Sequence, residues 1–399
     1  MTAIGGLPAD RAQPSAIRVP LLLLSTETRW LGAARAPRAL ARAGFAVSVL
    51  APPGTLLTKS GPLDHVAYLP PKADARQWVA AFEAIVDIAR PRLLVPCDDM
   101  AYRLLCTLYF AAPPGMPATR HAALAVLIRE SLGDPANFLS SVDKVALPAL
   151  VTALGVDCAD FRIVTDAAAA LDFGAAVGWP LVVKSSHSTG GTGVWICADG
   201  DAVQAAFAAA RRRHEASAES ATPLRLLVQA NIEGPRVFYP LAAWRGRVLA
   251  GYASEALVTH PPPKGPATVV RAYRDDTIRA AVERIVRELG ISGLLGFEFM
   301  IEQRTGRRCL LEINRRMVPG IHRGARLRCD GPAALRAMLL GQPSPTRSDL
   351  DHGETSLNVH FPQEWLRDPD SHWLHDHPVD VPWDEPELLA ALLALRHGD

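Results

Sequence analysis

The stretch LLGFEFMIEQRTGRRCLLEINRR, residues 294–316, decides how the second half of this chain folds. Two runs of β-type residues flank Arg304, Thr305 and Gly306, which predicts an antiparallel hairpin. Glu312 and Asn314 are two apart on the second strand and leave the same face of it. Glu298 lies on the first strand; an odd number of loop residues puts it on that face too, near Asn314 and diagonal to Glu312. Two carboxylates and an amide oxygen form an all-oxygen donor set, which Mg2+ prefers and shares with substrate phosphates. A polar hairpin face turned to water is the alternative. Against it stand Phe297, Phe299, Leu310, Leu311 and Ile313, which predict a buried sheet where like charges crowd badly without a cation.

Upstream, residues 181–196 read LVVKSSHSTGGTGVWI. Glycines let backbone N–H groups approach an anion closely, and Ser186, Ser188 and Thr192 add donors, so a phosphate is the first candidate guest. The phosphate loop GxxxxGK[ST] is reversed here: Lys184 precedes Gly190, Gly191 and Gly193, and a strand follows. The stretch predicts a glycine-rich hairpin tip lying over something, with an ordinary turn as the alternative. Lys184 is also a rare residue type. Only Lys59, Lys72, Lys144, Lys184 and Lys264 are lysines, leaving 37 of the 42 basic residues as arginine (42 − 5). A compact ammonium beside a polar loop suits a phosphate oxygen differently from a planar guanidinium.

The bulk numbers bound the class. A chain of 399 residues with net charge +1 and 49% hydrophobic residues reads as a soluble globular protein of two or three domains, without the basic excess of a nucleic-acid binder. The apolar run Val19 to Leu24 is too short to span a bilayer and reads as a first strand. The six cysteines form no CxxC and no metal spacing, which predicts reduced thiols and a cytoplasmic protein.

Along the chain, residues 1–16 read as a flexible leader. Residues 17–139 alternate strand and helix: VPLLLLS, an Arg/Ala-rich helix from Thr28 to Ala43, FAVSVLAP, a helix around Ala75 to Ala89, and a strand at Leu93 to Pro96. That order predicts a Rossmann-like parallel sheet, with Asp98 and Asp99 at a strand's carboxyl end as ligand contacts or, alternatively, helix caps. Residues 140–340 form a second, two-lobed α/β unit of antiparallel sheets and helices: a small lobe with the glycine loop (140–230) and a lobe with the carboxylate hairpin (231–340). Residues 341–399 form a C-terminal extension. There a short helix from Glu385 to Leu395 is expected, Trp373 and Trp383 pack on the core, and His372, His375 and His377 fit no standard zinc spacing.

From Ser140 to Cys329 the sequence resembles the ATP-grasp superfamily, carboxylate-amine ligase type, because its parts come in that family's order. Lys144 after Asp143 looks like the first nucleotide lysine and Lys184 in VVK like the second, with SSHSTGGTG as the lid over the phosphates. LVQANIEGP resembles the adenine hinge, with Gln229 acting by its side chain and Ala230 and Ile232 by backbone and apolar contact. Glu298, Glu312 and Asn314 match the metal ligands, and Arg316 matches the arginine of the ExNPR-type ending. Three departures accompany the match. Arg236 stands where a ribose-binding glutamate often lies, leaving Glu233 as the nearest substitute; Arg315 replaces the usual proline; and His187 lies inside the lid.

The resemblance implies ATP with one or two Mg2+ ions, Mn2+ being a possible substitute. It also implies a reaction in which a carboxylate becomes an acyl phosphate that an amine, often an amino acid, displaces. Lys184 and Arg316 would clamp the transferred charge, and Arg271 is a candidate for the substrate carboxylate. A bicarbonate-using carboxylase of the same fold and a non-catalytic ATP-binding module are the alternatives. The acid, the amine and the role of the C-terminal extension are not readable from the sequence. Partners would be small molecules, with a homodimer possible through the C-terminal extension.

Overall fold

A computed structural model describes residues 17–70, 72–186, 193–216, 222–262 and 265–397. The leader 1–16, the loop residues His187, Ser188, Gly190, Gly191 and Thr192, and Lys264 lie outside the described residues.

The first unit is a parallel sheet. β1 (Val19–Leu24), β2 (Phe45–Ala51), β3 (His65–Tyr68) and β4 (Leu93–Pro96) pair in the order β3-β2-β1-β4. β1 is near-continuously apolar because it is covered on both faces, as parallel strands are. Helix Ala75–Ala89 has the expected bounds and opens with a capping box, in which Asp74 accepts from Gln77 N–H and the Gln77 side chain accepts from Asp74 N–H. The Arg/Ala-rich segment is shorter than its composition suggests. Only Ala36–Arg42 is α-helical, behind a 3-10 turn at Leu31–Ala33, because Pro37 can stand only in a first helical turn.

The small lobe is an antiparallel sheet of β5 (Phe161–Val164), β6 (Leu181–Ser185), β7 (Val194–Cys197) and β8 (Leu226–Ala230) in the order β5-β8-β6-β7. Leu181, Val183, Leu226 and Val228 bury one face of it against helices Ala167–Val177 and Gly200–Glu215. The opposite face carries Lys184 and Gln229: Val182 pairs with Gln229 and Lys184 with Leu227, and side chains two apart share a face.

The largest sheet has seven strands. β9 (Arg236–Trp244) and β10 (Arg247–Gly251) form a hairpin turned by Arg245 and Gly246, both at positive φ. β11 (Ala253–Thr259), β12 (Ala267–Tyr273), β13 (Gly293–Ile301) and β14 (Arg308–Asn314) extend it. β15 (Ser356–Val359) adds an edge strand beside β12, so the C-terminal extension is built into this sheet. One face packs on helix Asp276–Glu288, whose Ile278, Val282, Ile285 and Val286 meet Phe297 and Phe299. Leu147 and Val151, from the segment following Lys144, join that same core.

The other face meets the first unit in a core that runs from Leu21, Leu23 and Val47 to Ala242, Tyr252 and Leu335. Helix Pro386–Ala394 closes the chain, with Leu388 and Leu392 against Ala34 and Leu56. Trp383 departs from expectation: it is 77% exposed and packs on no core. Trp373 is half-buried, with His372 and His377 rings beside it at 4.7 and 5.0 Å. No helix among the described residues is long and apolar enough to cross a membrane.

Candidate active site between the glycine loop and the carboxylate hairpin

In the hairpin, Ile301 pairs with Arg308 around an even-numbered loop, 302–307. That register alone would set Glu298 opposite Leu311 and turn Glu312 to the helix-covered side. A β-bulge between Glu298 and Phe299 shifts the pairing by one residue, so Glu298 stands directly opposite Glu312 and Gly296 opposite Asn314. The sequence-based placement of Glu298 is therefore corrected: it faces Glu312 and lies diagonal to Asn314. All three donors leave one face, which is the face away from helix Asp276–Glu288.

The charges around this row are closely spaced. Lys144 Nζ lies 3.5 Å from Glu312 Oε2, and Asn314 Nδ2 donates to Glu312 Oε1 at 3.1 Å. Lys144 follows Asp143, whose carboxylate accepts from Val145 N–H at 2.8 Å and caps the turn that leads into helix Leu147–Ala153. Lys184 reaches the row from the small lobe: burial lowers its pKa to about 8, Glu312 and Glu298 resist the drop, and Lys144 adds to it. For Glu298, burial and then the Glu312 charge push the carboxyl up to about 7. Burial also opposes ionisation of Glu312, but Lys144, the Asn314 hydrogen bond, Arg316 and Lys184 hold it below the usual range. One carboxylate is thus compensated and its neighbour is short of positive charge.

Arg236 supplies part of that charge. It lies 3.4 Å from Glu298 and over the Phe238 ring at 5.1 Å, and it donates to Gly265 O. A position that reads in the sequence as a departure from the family pattern is here a partner of the carboxylate row. Among the described residues no three His, Cys, Asp or Glu side chains converge on this row.

Arg316 ties the row to the first unit. Its Nε donates to Asp99 at 2.8 Å, its guanidinium lies 4.7 Å over the Trp30 ring, and Met317 N–H donates to Pro96 O at 2.8 Å. Asp98 takes the cap of helix Asp99–Phe110, accepting from Ala101 N–H, and it also accepts from Ser25 and Thr26. That division of labour leaves Asp99 for Arg316. Tandem acids after a parallel strand were the available signal for it; Trp30 had none. Arg315, in place of the family's proline, is buried and donates to Ser141 Oγ at 2.8 Å and Leu132 O at 2.5 Å over the face of Tyr102. It fastens the segment that carries Lys144.

The hinge segment runs from β8 to β9. Gln229 is buried, Ala230 and Ile232 are half-buried, and Glu233 is exposed with its carbonyl accepting from Gln303 N–H at 2.8 Å. Ser186 is half-buried beside β6, and Gly193, at φ +89°, accepts from Ser185 N–H at 3.0 Å. Arg271 is not brought to the site. It pairs across the sheet with Glu255, then Val237, then Phe299, whereas Glu298 belongs to the adjacent row of Phe238, Ser254 and Ala272. Neighbouring rows face opposite sides, so Arg271 lies on the reverse face, bound to Glu255 at 2.6 Å.

Residues 143–238 match the family model of the carbamoyl-phosphate synthase L chain, ATP binding domain. Comparison with curated proteins gives no match. Among solved structures the chain is similar to a biotin carboxylase from Campylobacter jejuni in complex with β-γ-ATP, at 13% identity and a TM-score of 0.63 over 84% of this chain and 74% of that one. It is also similar to the N5-carboxyaminoimidazole synthetase of Staphylococcus aureus complexed with ADP (13%, TM-score 0.57, 89% and 88%). A third similar structure is the L-amino acid ligase of Bacillus licheniformis (14%, TM-score 0.55, 87% and 81%). The chain thus has the ATP-grasp fold, and residues 143–238 within it match the ATP-binding domain of the carbamoyl-phosphate synthase L chain.

Proposed function

We propose that this protein is an ATP-dependent ligase that joins a carboxylate to an amine and releases ADP and phosphate. The observation that carries the reading is the meeting of Lys144 and Lys184, far apart in the chain, with the single row Glu298, Glu312, Asn314. The donor set fits Mg2+: all three ligating atoms would be oxygens, two carboxylates face each other in a half-buried place, and the raised Glu298 reports a deficit of positive charge. When bound, MgATP supplies the phosphoryl group that activates the carboxylate for displacement by the amine.

The chain's own residues bind and orient. Lys184 and Lys144 place ammonium charge beside the carboxylate row, where phosphate oxygens would be held together with the metal. Arg316, fixed by Asp99 and stacked on Trp30, offers its charge to the transferred group with little reorganisation; losing such a contact costs about 3 kcal/mol of transition-state stabilisation, roughly a hundredfold in rate. Gln229 shares a sheet face with Lys184 and suits the base of the nucleotide, with Ala230, Ile232 and Glu233 along the hinge. The loop with Ser186, Ser188, Gly190, Gly191, Thr192 and Gly193 would cover the phosphates and keep water from the activated acid.

The experiment is ADP release from ATP and Mg2+ with defined acids, amines and bicarbonate. ADP that requires an acid and an amine together supports the ligase. ADP with bicarbonate in place of the acid moves the assignment to a carboxylase, a chemistry also represented among the similar folds. Failure to bind MgATP refutes both.

A further inference from the structure

Each carboxylate of the row has a cation beside it, and the two cations are held differently. Lys144 meets Glu312 at 3.5 Å from the end of a flexible stem. Arg236 meets Glu298 from the neighbouring strand. In the pairing of β9 with β13, Phe238 stands opposite Glu298 and Arg236 opposite Met300, so Arg236 lies on the carboxylate face, diagonal to Glu298. Its Nη1 is 3.4 Å from Glu298 Oε1, with the two side chains 15% and 14% exposed.

Glu298 is only one of three attachments that hold this guanidinium. Nη2 donates to Gly265 O, and the guanidinium carbon lies 5.1 Å over the Phe238 ring. The planar fork of an arginine permits that division: one nitrogen faces a carbonyl, another a carboxylate, and the flat face rests on an aromatic ring. Gly265 is a fixed partner. Its N–H donates to Pro261 O at 2.7 Å, His260 N–H donates to Pro266 O at 3.0 Å, and a Cβ on Gly265 would meet His260 C and O at 2.1 Å, so the turn from β11 to β12 closes on this glycine. Two of the three attachments are therefore independent of Glu298, and the guanidinium stays anchored when that carboxylate turns away. A divalent cation shared by Glu298 and Glu312 would lie about 2.1 Å from their oxygens, and a guanidinium at ion-pair distance from the same carboxylate repels it. Arg236 and the metal thus compete for Glu298.

We propose that Arg236 is the built-in counter-ion of Glu298: a positioning residue that holds the carboxylate on the row in the metal-free protein and opposes metal binding until a nucleotide is present. This rests on the reading of the row as an MgATP site. The phosphate oxygens supply the negative charge that offsets the added dication, Glu298 turns from Arg236 to the metal, and Arg236 remains on Gly265 and Phe238. Free divalent cation is thereby kept off the row, and metal enters with the nucleotide or after it.

The test is titration of the chain with Mn2+, read by electron paramagnetic resonance, with and without ADP. The wild type should bind Mn2+ weakly by itself and more tightly with ADP. Arg236→Met should bind Mn2+ without nucleotide about tenfold more tightly than the wild type, narrowing the gain that ADP brings. Arg236→Lys, which keeps the charge, should stay near the wild type. Arg236→Gln, whose amide can still donate to Gly265 O, carries the same expectation as Arg236→Met and replaces it should that variant not fold. Damage to the scaffold would lower metal affinity, so a gain separates the proposed role from a merely structural one. Nucleotide-free Mn2+ affinity that is unchanged or lower in both neutral variants, an Arg236→Lys that binds as tightly as they do, or a wild type that binds Mn2+ equally well with and without ADP would overturn the inference. A wild type that binds Mn2+ under neither condition would instead sink the MgATP reading beneath it.

Discussion

Glu298→Gln isolates the electrostatics of the carboxylate row. Glu298 and Glu312 are directly opposed on adjacent strands, which sets their Cβ atoms about 5 Å apart; two charges at that separation and an effective dielectric near 20 repel by about 3 kcal/mol. Burial, the larger cause, and this repulsion together move the carboxyl from its ordinary 4.5 to about 7, a penalty of about 3 kcal/mol on the ionised form at 1.36 kcal/mol per unit. The raised value means that the folded, metal-free protein keeps this proton where the unfolded chain has lost it. Its contribution is full below about pH 4.5 and is lost as pH rises towards 7. Urea unfolding of EDTA-treated protein from pH 5 to 8 should show the wild type losing most of that amount relative to Glu298→Gln. Added MgATP should reverse the wild-type loss and leave the variant nearly unmoved. Parallel pH profiles for the two metal-free proteins, differing by less than about 1 kcal/mol across the range, would refute the reasoning.

Lys184→Met should lower ATP turnover about a hundredfold, and wild-type MgATP affinity, measured by titration calorimetry, should weaken above about pH 8 as the ammonium loses its proton, a trend the variant lacks. Gly234→Ala should destabilise the chain by about 2–4 kcal/mol in urea unfolding, because φ is +146° and the new Cβ would meet Ile301 O at 1.9 Å. Arg316→Gln should reduce turnover about as much as Lys184→Met with little change in MgATP affinity; an unchanged turnover number would remove Arg316 from the chemistry.

Much of this site was legible because local rules govern it. The βαβ order, the apolar hairpin and the rare lysines all follow from period, turn signals and composition. Other features depend on contacts between distant segments. Arg271 and Arg315 look alike in a chain rich in arginine, yet one is paired with Glu255 on the reverse face and the other is buried against Ser141 and Leu132. Arg315 and Arg236 read as departures from a family pattern until their partners, Ser141 and Glu298, come into view. Trp383 is large and apolar, and only the packing of the C-terminal helix decides that it stays outside.

The amino-acid order alone determined which residue types could meet: two ammonium groups, two carboxylates, an amide and a glycine loop, carried on strands of predictable extent. Whether Glu298 and Glu312 could share one ion was decided in the folded hairpin, where an even loop and a single bulged residue restore the register between them. Side chains alternate faces along a strand, so one residue of slip separates a metal-binding row from two charges on opposite sides of a sheet. No local pattern in the sequence encodes that slip; it exists only in the pairing of the folded hairpin.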